Sequence, residues 1–383
     1  MATVGSPLST AKRIVIKIGS SLLVDPQTGE LKSDWLGALV SDIAHLKARG
    51  QEVVIVSSGA IALGRRVLGF KPGILKLEED QAAASVGQVH LAHAYRDALA
   101  REKITAAQIL VTLSDTEERR RYLNARNTIA TLLRLGAVPV INENDTVATS
   151  EIRVGDNDRL AARVASMISA DCLVLLSNVA GLYTSAPETD EAAEIVREVM
   201  TITPEIEAMV SGKISTMGSG GMGTKIIAAR IATSAGIYMA IADGRGTNPL
   251  KIIEKENMCT WFVPSATPMA ARKKWIAGTL EPRGQMSVDE GAAKALNTGK
   301  SLLPAGIVAI KGKFGRGDAV SVISPQGVEL ARGLSAYDDG DARLICGHKS
   351  SNIEGILGYR GRTEMIHRDD LVLMKGSENE HNQ

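Results

Sequence analysis

Little in this sequence suits a stacked base, a disulfide, a polyanion or a lipid bilayer. Aromatic residues make up only 3% of the 383 positions, too few to build the stacking platforms on which single-stranded nucleic acids bind. The three cysteines, Cys172, Cys259 and Cys346, are widely spaced, odd in number and without a C-x-x-C pair, which argues against a disulfide framework and a cysteine zinc site. A reducing, cytoplasmic setting is expected. Lys plus Arg is 44 against 43 for Asp plus Glu, so no overall basic field exists to attract nucleic acid. No uncharged apolar run approaches the roughly 20 residues of a membrane span, and the first residues lack the apolar core of a signal peptide. A soluble protein is expected.

What is present is ordinary globular composition, 44% hydrophobic and 23% charged, in a chain longer than the roughly 100–200 residues of one domain. β-rich runs alternate with helical patterns from residue 13 to about 264, which predicts an α/β fold with a mostly parallel sheet sandwiched by helices. Residues 265–284, with Pro268, Pro282 and the basic Arg272-Lys273-Lys274, read as a linker. Beyond it, 285–375 read as a small β-rich domain of short runs spaced by Gly and Pro.

The most informative stretch is 141–160, INENDTVATSEIRVGDNDRL. One polar cluster, Asn142-Glu143-Asn144-Asp145, follows a strand, and another, Asp156-Asn157-Asp158, precedes a helix. Both positions face the crevice at the carboxyl edge of a parallel sheet, where ligands of open α/β folds bind. Its carboxylates outnumber Arg153 and Arg159, which suits an ammonium group or a metal-nucleotide as the missing positive partner. The competing reading makes Asp156 or Asn157 a helix N-cap and nothing more.

Lys17 sits in the strand 13–18 among Ile and Val, either at a sheet edge or aimed at an anion beside the following Gly19-Ser20-Ser21. Ser57-Ser58-Gly59-Ala60 is a small-residue turn between the strand 52–56 and a helix, fit either for close approach of a ligand or for helix-on-strand packing. His90 and His93 are three apart on a helix but have no carboxylate or cysteine beside them, so they read as helix surface. Ser114 with Glu117 predicts a capping box at the start of a long charged helix. Residues 211–225, SGKISTMGSGGMGTK, formally match G-x-G-x-x-G, but no strand precedes them and no Lys-Ser/Thr follows. A glycine loop ending in Thr224-Lys225 at a helix start favours phosphate, with a plain linker as the alternative.

These motifs, IVIKIGSSLL (14–23), VVIVSSGAIALG (53–64), YLNARNT (122–128), INENDTVAT (141–149), VGDNDRLAA (154–162) and GSGGMGTK (218–225), resemble those of the glutamate 5-kinase (γ-glutamyl kinase) family of the amino-acid kinase superfamily. DEGAAKAL (289–296), SLLPAGI (301–307), ILGY (356–359) and HRDDLVL (367–373) resemble the PUA domain that such kinases carry. The resemblance implies an amino-acid kinase domain over 1–264, a PUA domain over 285–375, and ATP-dependent phosphorylation of the side-chain carboxylate of L-glutamate, the first step of proline synthesis. It implies that Ser58, Asp145 and Asn157 hold glutamate, and that Lys17, Ser177, Asn178 and Ser219, Gly220, Gly221, Met222, Gly223, Thr224 and Lys225 hold ATP. Lys17 and Lys225 would be catalytic, with Asp156 orienting them, and Mg²⁺ would sit mainly on the phosphates.

The family usually has Thr-Asp where this chain has Ser177-Asn178, so a charge near the nucleotide is missing. The resemblance also implies a homo-oligomer under proline feedback. The alternatives are a kinase for another amino-acid carboxylate, and an RNA-associated or amino-acid-sensing protein. PUA domains often bind RNA, but the neutral balance and scarce aromatics disfavour RNA here.

Overall fold

The computed structural model describes residues 6–71, 73–147, 156–185, 187, 189–211, 221–279 and 281–374. They divide into one compact unit of residues up to Glu118 with Asn124–Pro268, and a second of Arg119–Leu123 with Met269–Gln383.

The first unit is built on an eight-stranded sheet of β1 (Arg13–Ile18), β2 (Glu52–Ser57), β3 (Ala106–Val111), β4 (Val138–Glu143), β5 (Cys172–Ser177), β6 (Glu198–Val199), β7 (Tyr238–Asp243) and β8 (Cys259–Phe262). Their order is β3-β4-β2-β1-β5-β7-β8-β6. Every pairing is parallel except that of β7 with β8. The α/β architecture predicted from the alternation of patterns is the one found; the two-residue β6 had no apolar run to announce it.

β1 lies at the centre and shows how the layers form. Ile14, Ile16 and Ile18 point to one face, where Leu36, Leu39, Val40, Ile43 and Leu46 of the helix Ser33–Ala48 cover them. Val15 and Lys17 point to the other, which the helix Asp156–Met167 covers. A strand buried on both faces has near-continuous apolar residues, so Lys17 is the exception that needs a partner.

Two glycines bring two helices into backbone contact. A methyl group on Gly64 would overlap the Ala83 carbonyl, and one on Gly87 would overlap the Ala60 carbonyl. The helix Ala60–Val67 therefore lies directly on the helix Leu77–Arg101. Gly59, at φ 108°, makes the left-handed turn that leads from Ser57-Ser58 into the first of these helices.

The expected capping box at Ser114 and Glu117 does not form. Ser114–Thr116 is a single 3₁₀ turn, and the long helix begins later, at Arg119–Arg134. Asp115 is the reason: its carboxylate accepts from the Thr112 amide at 2.7 Å and the Thr112 hydroxyl at 2.8 Å, closing a local turn that competes with the helix.

The second unit has a five-stranded sheet of β9 (Gly284–Val288), β10 (Ile307–Gly312), β11 (Ala319–Ile323), β12 (Glu329–Leu334) and β13 (Leu371–Leu373), in the order β10-β9-β11-β12-β13. Met286, Val288, Phe314, Val320, Val322 and Tyr337 belong to its own core. The segment read as a linker, 265–284, is largely the helix Pro268–Thr279. Its Arg272 makes a buried ion pair with Asp370 at 2.6 Å, a partner 98 residues away that no local pattern could disclose.

Gly87→Ala should destabilise the first unit by about 1–3 kcal/mol, since a methyl group must push apart two backbones. Gly37→Ala, inside the helix Ser33–Ala48 with nothing within 4 Å of the added carbon, should instead stabilise by about 0.5–1 kcal/mol. Urea unfolding of both variants checks the pair; equal shifts would refute the close crossing.

Candidate active site

Parallel pairing puts the carboxyl ends of neighbouring strands at one edge. Ile18 is in register with Ser57 and Leu176, and Ser177 with Asp243. The residues that leave this edge, Ser58 after β2, the end of β4, Ser177 and Asn178 at β5, are those the polar clusters pointed to.

The centre of the site is one carboxylate between two ammonium groups. Asp158 Oδ1 lies 2.6 Å from Lys17 Nζ, and Asp158 Oδ2 lies 3.1 Å from Lys225 Nζ. The Thr224 hydroxyl donates to Oδ2 at 3.0 Å. Asp158 is fully buried and both lysines nearly so. Burial alone would raise the carboxyl pKa, but the two ammonium charges outweigh it and hold Asp158 below the ordinary carboxylate value. Lys225 is moved below the ordinary lysine value, by burial first and by the charge of Lys17 as well, against the pull of Asp158.

The geometry follows from a spacing shared by two helices. Asp158 is followed at +3, +4 and +7 by Ala161, Ala162 and Ala165, all fully buried. Lys225 is followed at the same intervals by Ala228, Ala229 and Ala232, also fully buried, on the helix Met222–Ser234. Small faces let the two helices pack closely, and the charged residues that head those faces meet.

Next to Asp158, Asn157 holds the other half of the edge. Its Nδ2 lies within donating distance of Ser58 Oγ at 2.8 Å, Ser57 O at 3.1 Å and Asn142 Oδ1 at 3.2 Å. Its Oδ1 is buried with no hydrogen-bond partner among the described residues, an acceptor that suits a ligand N–H. Asn142 Nδ2 donates in turn to Gln88 Oε1 at 2.8 Å.

The structure thus brings Lys17 and Lys225 together, and Ser58 with Asn157. Ser177, at the end of β5, is buried, and its hydroxyl donates to Asn178 Oδ1 at 3.3 Å; Asn178 itself is exposed. Asp145 is half-buried in the turn Asp145–Val147, just after β4. Gly221 is the N-cap of the helix that starts with Met222-Gly223-Thr224-Lys225. Ser219 and Gly220 lie outside the described residues, and so does the side chain of Asp156, which opens the helix Asp156–Met167.

Both lysines pair with Asp158, to which the sequence reading gave no role, while the side chain of Asp156, expected to orient them, lies outside the described residues. A signal for this was available. Asp158, not Asp156, stands at i−3, i−4 and i−7 from three alanines, and a carboxylate heading an apolar face must find a buried partner. Asn142 heads the first polar cluster but was given no role of its own, and Gln88 was missed altogether; it carried no signal, because nothing local says which strand end it meets.

Among the described residues no three His, Cys, Asp or Glu side chains converge on a metal position. Nor is any helix among them long and apolar enough to cross a membrane.

The sheet, its shared carboxyl edge and the two-lysine centre define a phosphoryl-transfer enzyme of the Amino acid kinase family. The pattern of that family matches residues 12–243, and the PUA domain pattern matches 284–357. The chain belongs to this family. Among curated relatives, the glutamate 5-kinase of Agrobacterium fabrum (strain C58) is 61% identical over 373 residues, covering 97% of this chain and 96% of the relative. The glutamate 5-kinase of Paramagnetospirillum magneticum is 61% identical over 368 residues, covering 96% and 99%. That of Rhizobium etli (strain CFN 42) is 60% identical over 367 residues, covering 96% and 94%.

Asp158→Asn should strip the shared carboxylate from two buried ammonium groups and destabilise the first unit by about 3–5 kcal/mol at neutral pH. Because the folded pKa of Asp158 is depressed, its contribution is fully present above the unfolded carboxylate value of about 4. It is lost as pH falls through the lower folded value. The gap between wild type and variant, measured by urea unfolding from pH 7 to pH 3, should therefore narrow only below about pH 4. A gap already closed at pH 6 would contradict the ion-pair account.

Proposed function

We propose that this chain transfers the γ-phosphoryl group of ATP to the side-chain carboxylate of L-glutamate, forming L-glutamyl 5-phosphate and ADP, the first step of proline synthesis. The observation that carries the reading is the Lys17–Asp158–Lys225 centre, in which two ammonium groups share one carboxylate beside the Ser58–Asn157 pair.

The ammonium groups of Lys17 and Lys225, side by side at the edge of the sheet, suit an anion. A phosphate at the head of the helix Met222–Ser234 would gain both that charge and the backbone N–H groups of a helix N-terminus. Ser177, Asn178 and the loop leading to Lys225 are the groups proposed to hold ATP. Ser58, Asn157 and Asp145 are those proposed for glutamate: the orphaned Asn157 Oδ1 and the Asp145 carboxylate are acceptors for an α-ammonium group, and Ser58 Oγ is a partner for a carboxylate.

The chemistry then makes few demands. A carboxylate with a pKa of about 4.3 is ionised at neutral pH, so it attacks phosphorus without a general base. Its oxygen forms the new P–O bond as the bond to the β-phosphate oxygen breaks, and ADP leaves with the electron pair. Lys17 and Lys225 stabilise the phosphoryl and β-phosphate oxygens, while Asp158 keeps both ammonium groups in place when no phosphate is there. Mg²⁺ would be held chiefly by phosphate oxygens and would supply further charge neutralisation. The family resemblance extends the proposal to proline as feedback inhibitor and to a homo-oligomer.

With MgATP and hydroxylamine, L-glutamate should yield the γ-hydroxamate, whereas N-acetyl-L-glutamate and L-aspartate should yield almost none. Equal rates with the acetylated acid would remove the ammonium-binding role of Asn157 and Asp145. Lys225→Ala should lower kcat about 100-fold, about 3 kcal/mol, with little change in KM for glutamate, and Lys225→Arg should recover little of it. Steady-state kinetics decide: kcat within about threefold of wild type would take Lys225 out of the chemistry.

A further inference from the structure

The hydrogen bonds behind Asn157 form a path that starts and ends on a single helix. Gln88 and Tyr95 are seven apart on Leu77–Arg101, two turns along one face. From Gln88 Oε1 the path runs to Asn142 Nδ2 at 2.8 Å, and from Asn142 Oδ1 to Asn157 Nδ2 at 3.2 Å. It continues from Asn157 to Ser58 Oγ at 2.8 Å and Ser57 O at 3.1 Å. It returns from Ser57 Oγ to Tyr95 OH at 2.9 Å.

Ser57 Oγ has a single proton and two partners, Ser58 O at 3.1 Å and Tyr95 OH at 2.9 Å, and either hydroxyl can be the donor in the second bond. Tyr95 and Ser57 are fully buried and Asn142 is nearly so, which removes water as a competing partner. Among the described residues, the side-chain hydrogen bonds of Gln88 and Tyr95 go to Asn142 and Ser57, and the ion pairs of Lys17 and Lys225 to Asp158.

Their reach depends on the glycine crossing. Gly87, next to Gln88, lies against Ala60, and Gly64 lies against Ala83. This backbone contact holds the helix Leu77–Arg101 close to the turn Ser57-Ser58-Gly59, where one side chain spans to β2 and another to β4.

We propose that Gln88 and Tyr95 are positioning residues that set affinity for the amino-acid substrate: Gln88 fixes the side-chain orientation of Asn142, Tyr95 fixes that of Ser57, and together they pin Asn157 and Ser58. The proposal rests on the assignment of Ser58 and Asn157 to glutamate. It makes the helix Leu77–Arg101 the element through which the acceptor site is tuned apart from the phosphate site.

The test is a split in kinetic constants. Tyr95→Phe, which deletes one oxygen, and Gln88→Met, which keeps length but not the acceptor, should each raise KM for glutamate about three- to tenfold, the size of one lost hydrogen bond. KM for ATP should stay within about twofold. Gln88→Glu, which retains an acceptor for Asn142, should lie closer to wild type than Gln88→Met, and it replaces Gln88→Met as the test if that variant does not fold. Equal rises in both KM values, or no rise in either variant while Ser58→Ala does raise KM for glutamate, would overturn the positioning role. If Ser58→Ala and Asn157→Ala themselves leave KM for glutamate unchanged, the assignment of the acceptor site fails instead, and the two failures are distinguishable.

Discussion

The carboxyl edge of the sheet is organised around a buried carboxylate that two lysines share. Two ammonium groups brought together in a dry interior repel each other, and each loses its hydration. Asp158 makes their approach tolerable, with Lys17 from the central strand on one oxygen and Lys225 from a helix start on the other. The same two ammonium groups are suited to meet a phosphate.

The backbone provides the setting at little energetic cost. A parallel sheet delivers strand ends to one edge, and the alanine faces headed by Asp158 and Lys225 let two helices approach until those heads meet. On the other side of the edge the same economy recurs with glycine. Gly64 and Gly87 let a long helix lie on a short one, and two of its polar side chains then brace the strand ends that carry Asn142 and Ser57. Small residues thus position both halves of the site, one through charge and one through hydrogen bonds.

The division agrees with the chemistry. A carboxylate acceptor needs no proton removed, which is why no histidine stands in the centre and why lysines and a helix start suffice. On the proposed assignment, the neutral groups Asn157 and Ser58 would add directional hydrogen bonds to the charge of Asp145 in selecting the acceptor.

By itself the sequence determined the α/β class, the edge of the sheet where the polar clusters gather, the β-rich character of the tail, and a lysine among isoleucines that was either at a sheet edge or aimed at an anion. Each is a local property: a two- or 3.6-residue period, a polar cluster at the end of an apolar run, a lysine among isoleucines. The tertiary structure alone decided which carboxylate meets Lys17, 141 positions away in the chain. It also decided that the proline-bearing segment after the first unit is a helix tied by Arg272 to Asp370, and that Gln88 and Tyr95 lie behind the acceptor site. Pairing across a sheet and helix contact through small residues join groups far apart in the chain. Such contacts depend on the packing of whole faces, which no window of neighbouring residues contains.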